Sequence, residues 1–156
     1  EIPPMSQTNE PTVCFSLTCK SAAAALDFYT RAFGAVELYR FSPTPGAVPH
    51  AEFKIGNTHI YISDEFPPGH AFAIPEGGLA PCVFSIQVED CDQAFALAHA
   101  AGGTPLTPSR DQFWGKRTAM LRDPFGYRWS FSQHLEEVPP DELNKRAQAF
   151  MSANAK

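Results

Sequence analysis

One supersecondary unit is written twice in this chain, with a spacing of 69 residues. Residues 13–34 run Val-Cys-Phe-Ser-Leu-Thr-Cys, continue through an alanine-rich stretch and end Arg-Ala-Phe-Gly. Residues 82–103 run Cys-Val-Phe-Ser-Ile-Gln-Val, continue through a second alanine-rich stretch and end Ala-Ala-Gly-Gly. At that spacing Phe15 meets Phe84, Ser16 meets Ser85, Ala25 meets Ala94, Ala32 meets Ala101 and Gly34 meets Gly103. A self-similarity this sustained constrains the fold more than any single motif. Its period is too long for a solenoid, so it means two half-domains that share a cleft.

Within each copy the same order of elements repeats. Residues 12–19 alternate, with Val13, Phe15 and Leu17 on one side and Cys14, Ser16 and Thr18 on the other, as a half-buried strand does. Ser21 is a helix N-cap, residues 22–33 are helix formers and Gly34 is the stop. A strand over 36–41, a loop over 42–48 and two strands joined at Gly56-Asn57 complete the copy; that dipeptide is a hairpin signal. The second copy reads as a strand over 82–88, a helix capped by Asp90 and stopped by Gly102-Gly103, and a strand over 104–108. A loop over 108–115, a strand over 117–122, a turn over 123–126 and a strand over 127–133 follow. A C-terminal helix over about 140–152 begins at Pro140 or Asp141. The predicted organisation is a single domain: module one at 12–64, a proline- and glycine-rich linker at 65–81, module two at 82–134, then the helix. Residues 1–11 read as a polar, flexible tail.

Composition narrows the function classes. A net charge of −5, with Lys20, Lys54 and Lys116 isolated from one another, argues against nucleic acid, which is held through lysine and arginine on phosphates. There is no apolar run near the length a bilayer needs. The start lacks a signal-peptide pattern, so the expectation is a cytoplasmic protein whose four cysteines are reduced thiols.

Three stretches carry a family likeness: residues 25–34, Ala-Leu-Asp-Phe-Tyr-Thr-Arg-Ala-Phe-Gly; residues 50–56, His-Ala-Glu-Phe-Lys-Ile-Gly; and residues 123–127, Asp-Pro-Phe-Gly-Tyr. Together they resemble the vicinal-oxygen-chelate superfamily, the glyoxalase/bleomycin-resistance/dioxygenase fold, over roughly residues 11–137. The Phe113-Trp114-Gly115 loop is similar to that of its glyoxalase-like branch. The resemblance implies an α+β fold of two tandem βαβββ modules whose strands form a cupped mixed sheet. It also implies a small-molecule ligand in the cup and a homodimer. The metal enzymes of the superfamily place four ligands in the cup, and the likeness puts those positions at Cys14, Tyr61, Val83 and Ser130. Valine cannot bind a metal, and serine and tyrosine are poor ligands for zinc, nickel or iron. No metal cofactor is therefore expected there, which puts glyoxalase I and extradiol dioxygenase chemistry in doubt.

The candidate site residues follow from strand parity. His50 and Glu52 share a face, with His59 on the hairpin partner. They read as an acid–base pair, as an alternative divalent-metal site at His50, Glu52 and His59, or as a solvated charge cluster beside Lys54. Cys14, Ser16, His59, Tyr61, Arg128 and Ser130 are candidate ligand-binding residues on the polar sheet faces. Cys14 as a nucleophile has nothing recognisable to activate it, so a packed or cavity-lining thiol is the favoured reading; Tyr61 and Ser130 are equally groups that satisfy each other or water. Arg128 could clamp a carboxylate or phosphonate, or form a surface ion pair. Arg117 and Arg122 have the same two readings, and for Arg122 a local pair with the adjacent Asp123 is the favoured one. Phe113 and Trp114 read as a pocket wall or as cover for the core edge. Trp129 and Phe131 point to the core. Two activities remain: a binding or sequestering protein, and a lyase or isomerase using His50 or Glu52.

Overall fold

The computed structural model describes residues 12–154, so the predicted N-terminal tail lies outside the described residues. The chain forms two compact units that divide between Glu76 and Gly77, inside the predicted linker. The first contains β1 (Phe15–Cys19), α1 (Ala22–Phe33), β2 (Val36–Phe41), β3 (His50–Ile55) and β4 (Thr58–Asp64). The second contains β5 (Val83–Gln87), α2 (Cys91–Ala100), β6 (Thr104–Asp111), β7 (Lys116–Arg122) and β8 (Arg128–His134), followed by α3 (Pro140–Ala153). This is an α+β chain of two tandem βαβββ modules with a C-terminal helix.

The strands pair as two four-stranded mixed sheets rather than one, in the orders β1-β4-β3-β2 and β5-β8-β7-β6. In each module the first strand runs parallel to the fourth strand of the same module. The duplication extends to individual contacts. Phe15 opposite Ile60 and Ser16 opposite Tyr61 recur as Phe84 opposite Trp129 and Ser85 opposite Ser130. Ser21 caps α1 by accepting the Ala24 amide at 3.2 Å, and Asp90 caps α2 by accepting the Gln93 amide at 2.9 Å. The ladder between the second and third strands shifts register at Leu38 in one module and at Leu106 in the other, so the bulge is copied too.

In the first module α1 buries Ala25, Leu26, Phe28, Tyr29 and Ala32, and the Tyr29 ring stacks on Phe53 with centroids 5.5 Å apart. Each large apolar side chain so buried contributes about 1.5–3 kcal/mol relative to exposure. Gly34 ends α1 with φ of 65°, a conformation open to glycine at no steric cost. The second module centres on Leu121, Trp129 and Phe131, all buried, as their parity predicts.

Two local expectations need correction, and the linker has structure of its own. The first strand begins at Phe15, and Val13 and Phe15 are exposed, so only Leu17 and Cys19 of this edge strand are covered. β6 continues to Asp111 through residues predicted as loop. It is an edge strand, where Pro105 and Pro108 can be tolerated because an unpaired side needs no donor. The 65–81 linker is locally ordered. Its first part folds back through the Phe66–Ala71 bridge and a Glu65 side chain that accepts the Ala73 amide at 3.0 Å; its end is held by the Ala80 amide on the Gly126 carbonyl at 2.9 Å. Among the described residues no helix is long and apolar enough to cross a membrane.

Candidate functional site

Alternation on β3 and β4 sorts the first sheet into two faces. Ala51, Phe53, Ile60 and Ile62 are buried under α1, which leaves His50, Glu52, Lys54, His59, Tyr61 and Ser63 on the opposite face. The antiparallel register sets Glu52 opposite Tyr61 and Lys54 opposite His59, so His59 lies diagonal to Glu52. The side chains close that diagonal. His50 Nε2 is 3.1 Å from Glu52 Oε1, and His59 Nε2 is 2.9 Å from Glu52 Oε2. The Tyr61 ring stands edge-on between the two imidazoles, with centroids 5.2 Å from His50 and 5.4 Å from His59. Cys14, the residue before β1, joins them, its thiol donating to the His59 carbonyl at 3.3 Å, and Ser16 faces Tyr61 across the β1–β4 ladder. Of the candidates in this module, the structure brings His50, Glu52, His59, Tyr61 and Cys14 together.

The electrostatics follow from the geometry. The hydrogen bond from His50, then that from His59, holds the Glu52 carboxyl below its ordinary range, against the opposing effect of burial. An ionised carboxylate only accepts, so each Nε2 carries the hydrogen that it shares with Glu52. Glu52 thus orients two imidazoles. The His50 side chain is 40% exposed and that of His59 23%, which makes His50 the more accessible ring. Tyr39, which sequence reasoning missed, also borders this face, with its ring 6.3 Å from His50. The bulge at Leu38 conceals it, because simple alternation through 36–41 mis-sorts every residue past the bulge.

In the second module Arg128 and Ser130 share the face of β8 opposite to buried Trp129 and Phe131. Phe113 and Trp114 do not join them. Their loop connects β6 to β7 at the His134 end of β8, whereas Arg128 begins that strand, about 20 Å away at 3.3 Å per residue. Phe113 is instead taken up by α3: its ring lies 5.2 Å from that of Phe150, and its carbonyl accepts from Arg146 at 3.3 Å. The Arg122–Asp123 pair also fails to form. The Asp123 carboxylate turns inward and accepts from the Phe125 and Tyr127 amides at 2.8 and 2.9 Å and from the Trp129 indole at 2.9 Å. Arg122 stands directly opposite Arg128 on β7.

A family model for the glyoxalase/bleomycin resistance protein/dioxygenase superfamily matches residues 12–131. The chain belongs to this superfamily. The uncharacterized protein Mb0911c of Mycobacterium bovis is 37% identical over 147 residues, covering 92% of this chain and 94% of its own. Among solved structures, TioX from Micromonospora sp. ML1 is 27% identical with a TM-score of 0.63, over 78% of this chain and 97% of its own. A glyoxalase/bleomycin resistance protein/dioxygenase from Nocardioides shares the fold at 21% identity, with a TM-score of 0.62 over 86% of this chain and 90% of its own.

Membership in the glyoxalase superfamily raises the question of a metal. Of the four chelating positions the likeness assigns, Cys14 already donates to a backbone carbonyl, and Tyr61, Val83 and Ser130 are the wrong chemistry for zinc, nickel or iron. The alternative centre at His50, Glu52 and His59 does not fit either. Each carboxylate oxygen is taken by one imidazole N–H, and among the described residues no three histidine, cysteine, aspartate or glutamate side chains converge as a metal site.

Proposed function

We propose that this glyoxalase-superfamily chain binds a small organic molecule on the open sheet faces of its modules, without a resident metal. The observation that carries this reading is the His50–Glu52–His59 array around Tyr61, a set of oriented, partly exposed polar groups on a strand face that the fold does not need for packing. Few convergent polar groups set among aromatic rings are the usual composition of a small-molecule site. The test combines elemental analysis of protein purified without chelator with a thermal-shift screen of neutral, cationic and anionic aromatic compounds. Ligands that raise the melting temperature of metal-free protein, with the rise lost in Tyr61→Ala, support the reading. Stoichiometric metal in the purified protein, or a silent broad panel, overturns it.

A second reading is favoured by the hydrogen bonds of Glu52. A ring oriented by a buried or half-buried carboxylate is the arrangement of a general base and its orienting partner. In a lyase or isomerase of this type His50 would exchange a proton with the ligand through Nδ1, and Glu52 would fix the ring. Turnover lost in both His50→Ala and Glu52→Gln, with ligand binding retained, separates this reading from simple binding.

A further inference from the structure

Arg122 and Arg128 face each other across the β7–β8 ladder as a direct pair. Directly opposed residues in an antiparallel sheet share a face with Cβ atoms about 5 Å apart, and like charges so placed repel. The Nε atoms of both are buried, and among the described residues neither has a hydrogen-bond partner. The chain's other partly covered arginines are matched: Arg40 to Glu37, Arg117 to Asp92 and Asp111, Arg146 to Glu136 and Glu142. Asp123, next in sequence to Arg122, is turned away to the Trp129 indole and two amides.

A buried N–H left unmade is destabilising, and here two such groups sit on two opposed cations. Nothing about sheet stability favours that. Sequence rules broken without compensation in the free protein mark functional positions.

We propose that Arg122 and Arg128 form a clamp for an oxyanion, the carboxylate or phosphate of a small organic ligand. Resting on the small-molecule reading above, this assigns the ligand's charge. Two guanidiniums offer paired N–H donors that match the two oxygens of either group. Their neighbours suit the rest of such a molecule. Val83 and Thr104 flank the pair on the same rung, and Ser85, Ser130 and Met120 line the next rung on that face. A carboxylate on the arginines therefore places its organic portion along two hydroxyls and a thioether.

The test follows the arginine Nε–H signals of 15N-labelled protein by NMR during titration with benzoate, with inorganic phosphate and, as an ionic control, with sodium chloride. The expected result is a saturable shift of the Arg122 and Arg128 signals, with Arg31 and Arg40 unmoved, by benzoate, by phosphate or by both. The stronger of the two identifies the anion class. The double variant R122Q/R128Q should bind the active anion about tenfold more weakly or worse, and should melt no lower than wild type in anion-free buffer, because the repulsion is gone. Shifts equal to those in sodium chloride, or spread over all arginines, overturn the clamp even if the variant fails to fold. A neutral or cationic compound that stabilises the protein while both Nε signals stay still also overturns it, and leaves the small-molecule reading standing.

Discussion

Gln133 does for α2 what Asp64 does for α1. Asp64 Oδ1 accepts the amide of Ala22, the first residue of α1, at 2.8 Å, and Gln133 Oε1 accepts the amide of Cys91, the first residue of α2, at 3.0 Å. The last strand of each module thus ties down the helix N-terminus, where amides lack helical partners. Asp64 has a second task, accepting the Val48 amide at 2.6 Å through Oδ2. Asp64→Ala should therefore cost about 2–4 kcal/mol and Gln133→Ala about 1 kcal/mol, since charge-assisted bonds are the stronger and Asp64 makes two. Urea unfolding of the two variants checks the order; equal losses would refute the argument.

Glu52 sets a pH dependence. Its carboxyl lies below the ordinary value of 4.5, so its ionised form stabilises the folded state at neutral pH. That contribution is complete above the unfolded value and drains away as the pH falls through the lowered folded one. His50 is the largest cause, so His50→Ala should move the Glu52 titration up toward the ordinary value. Carbon-13 NMR of the labelled carboxyl, followed downward from neutral pH in both proteins, reads the change directly.

Asp123 anchors the turn between β7 and β8 from inside the protein, at 2% exposure. Asp123→Ala strands two backbone amides and the Trp129 indole, and should destabilise the protein by about 3 kcal/mol or more. Asp123→Asn retains an acceptor and should cost less. Thermal unfolding of both variants, with Trp129 fluorescence as the probe, tests the ranking.

Gly115 ends the aromatic loop with φ of 82°, and an added Cβ would run into the Glu136 carbonyl and come within 2.9 Å of Val138. Its own carbonyl accepts the Leu135 and Glu136 amides at 3.0 and 3.1 Å. Gly115→Ala should cost about 2 kcal/mol or more, from the strained backbone and the displaced 135–138 segment together. The near-ultraviolet circular dichroism of Trp114 should change in the same variant, while a loss of stability with an unaltered signal would argue against the mechanism.

Much of the fold was legible because its determinants are local. Ser21, Gly34, Asp90 and the Gly56-Asn57 hairpin each act through their own backbone, and the repeat carried them from one module to the other. The His50, Glu52 and His59 grouping was legible as well, since parity and one tight turn fix it. What sequence could not supply were choices made by packing. Asp123 prefers the Trp129 indole to its neighbour Arg122, and Phe113 prefers α3 to the sheet face that carries Arg128. The bulges at Leu38 and Leu106 were hidden for a related reason: a one-residue slip leaves composition unchanged while it reverses which side chains face outward.

The parallel pairing that closes each module has a kinetic side. Phe15 finds Ile60, and Phe84 finds Trp129, across 44 residues of intervening chain, whereas β3 meets β4 across two. Closing the longer loop costs more chain entropy, and non-local pairings slow folding. β1 and β5 are also edge strands, with one ladder each to hold them. Edge position and a distant partner together predict that these strands join late during folding and detach early during native-state opening. Ser16 and Ser85 ride on them, so amide exchange along β1 and β5 should report transient widening of the same faces that carry Tyr61 and Ser130.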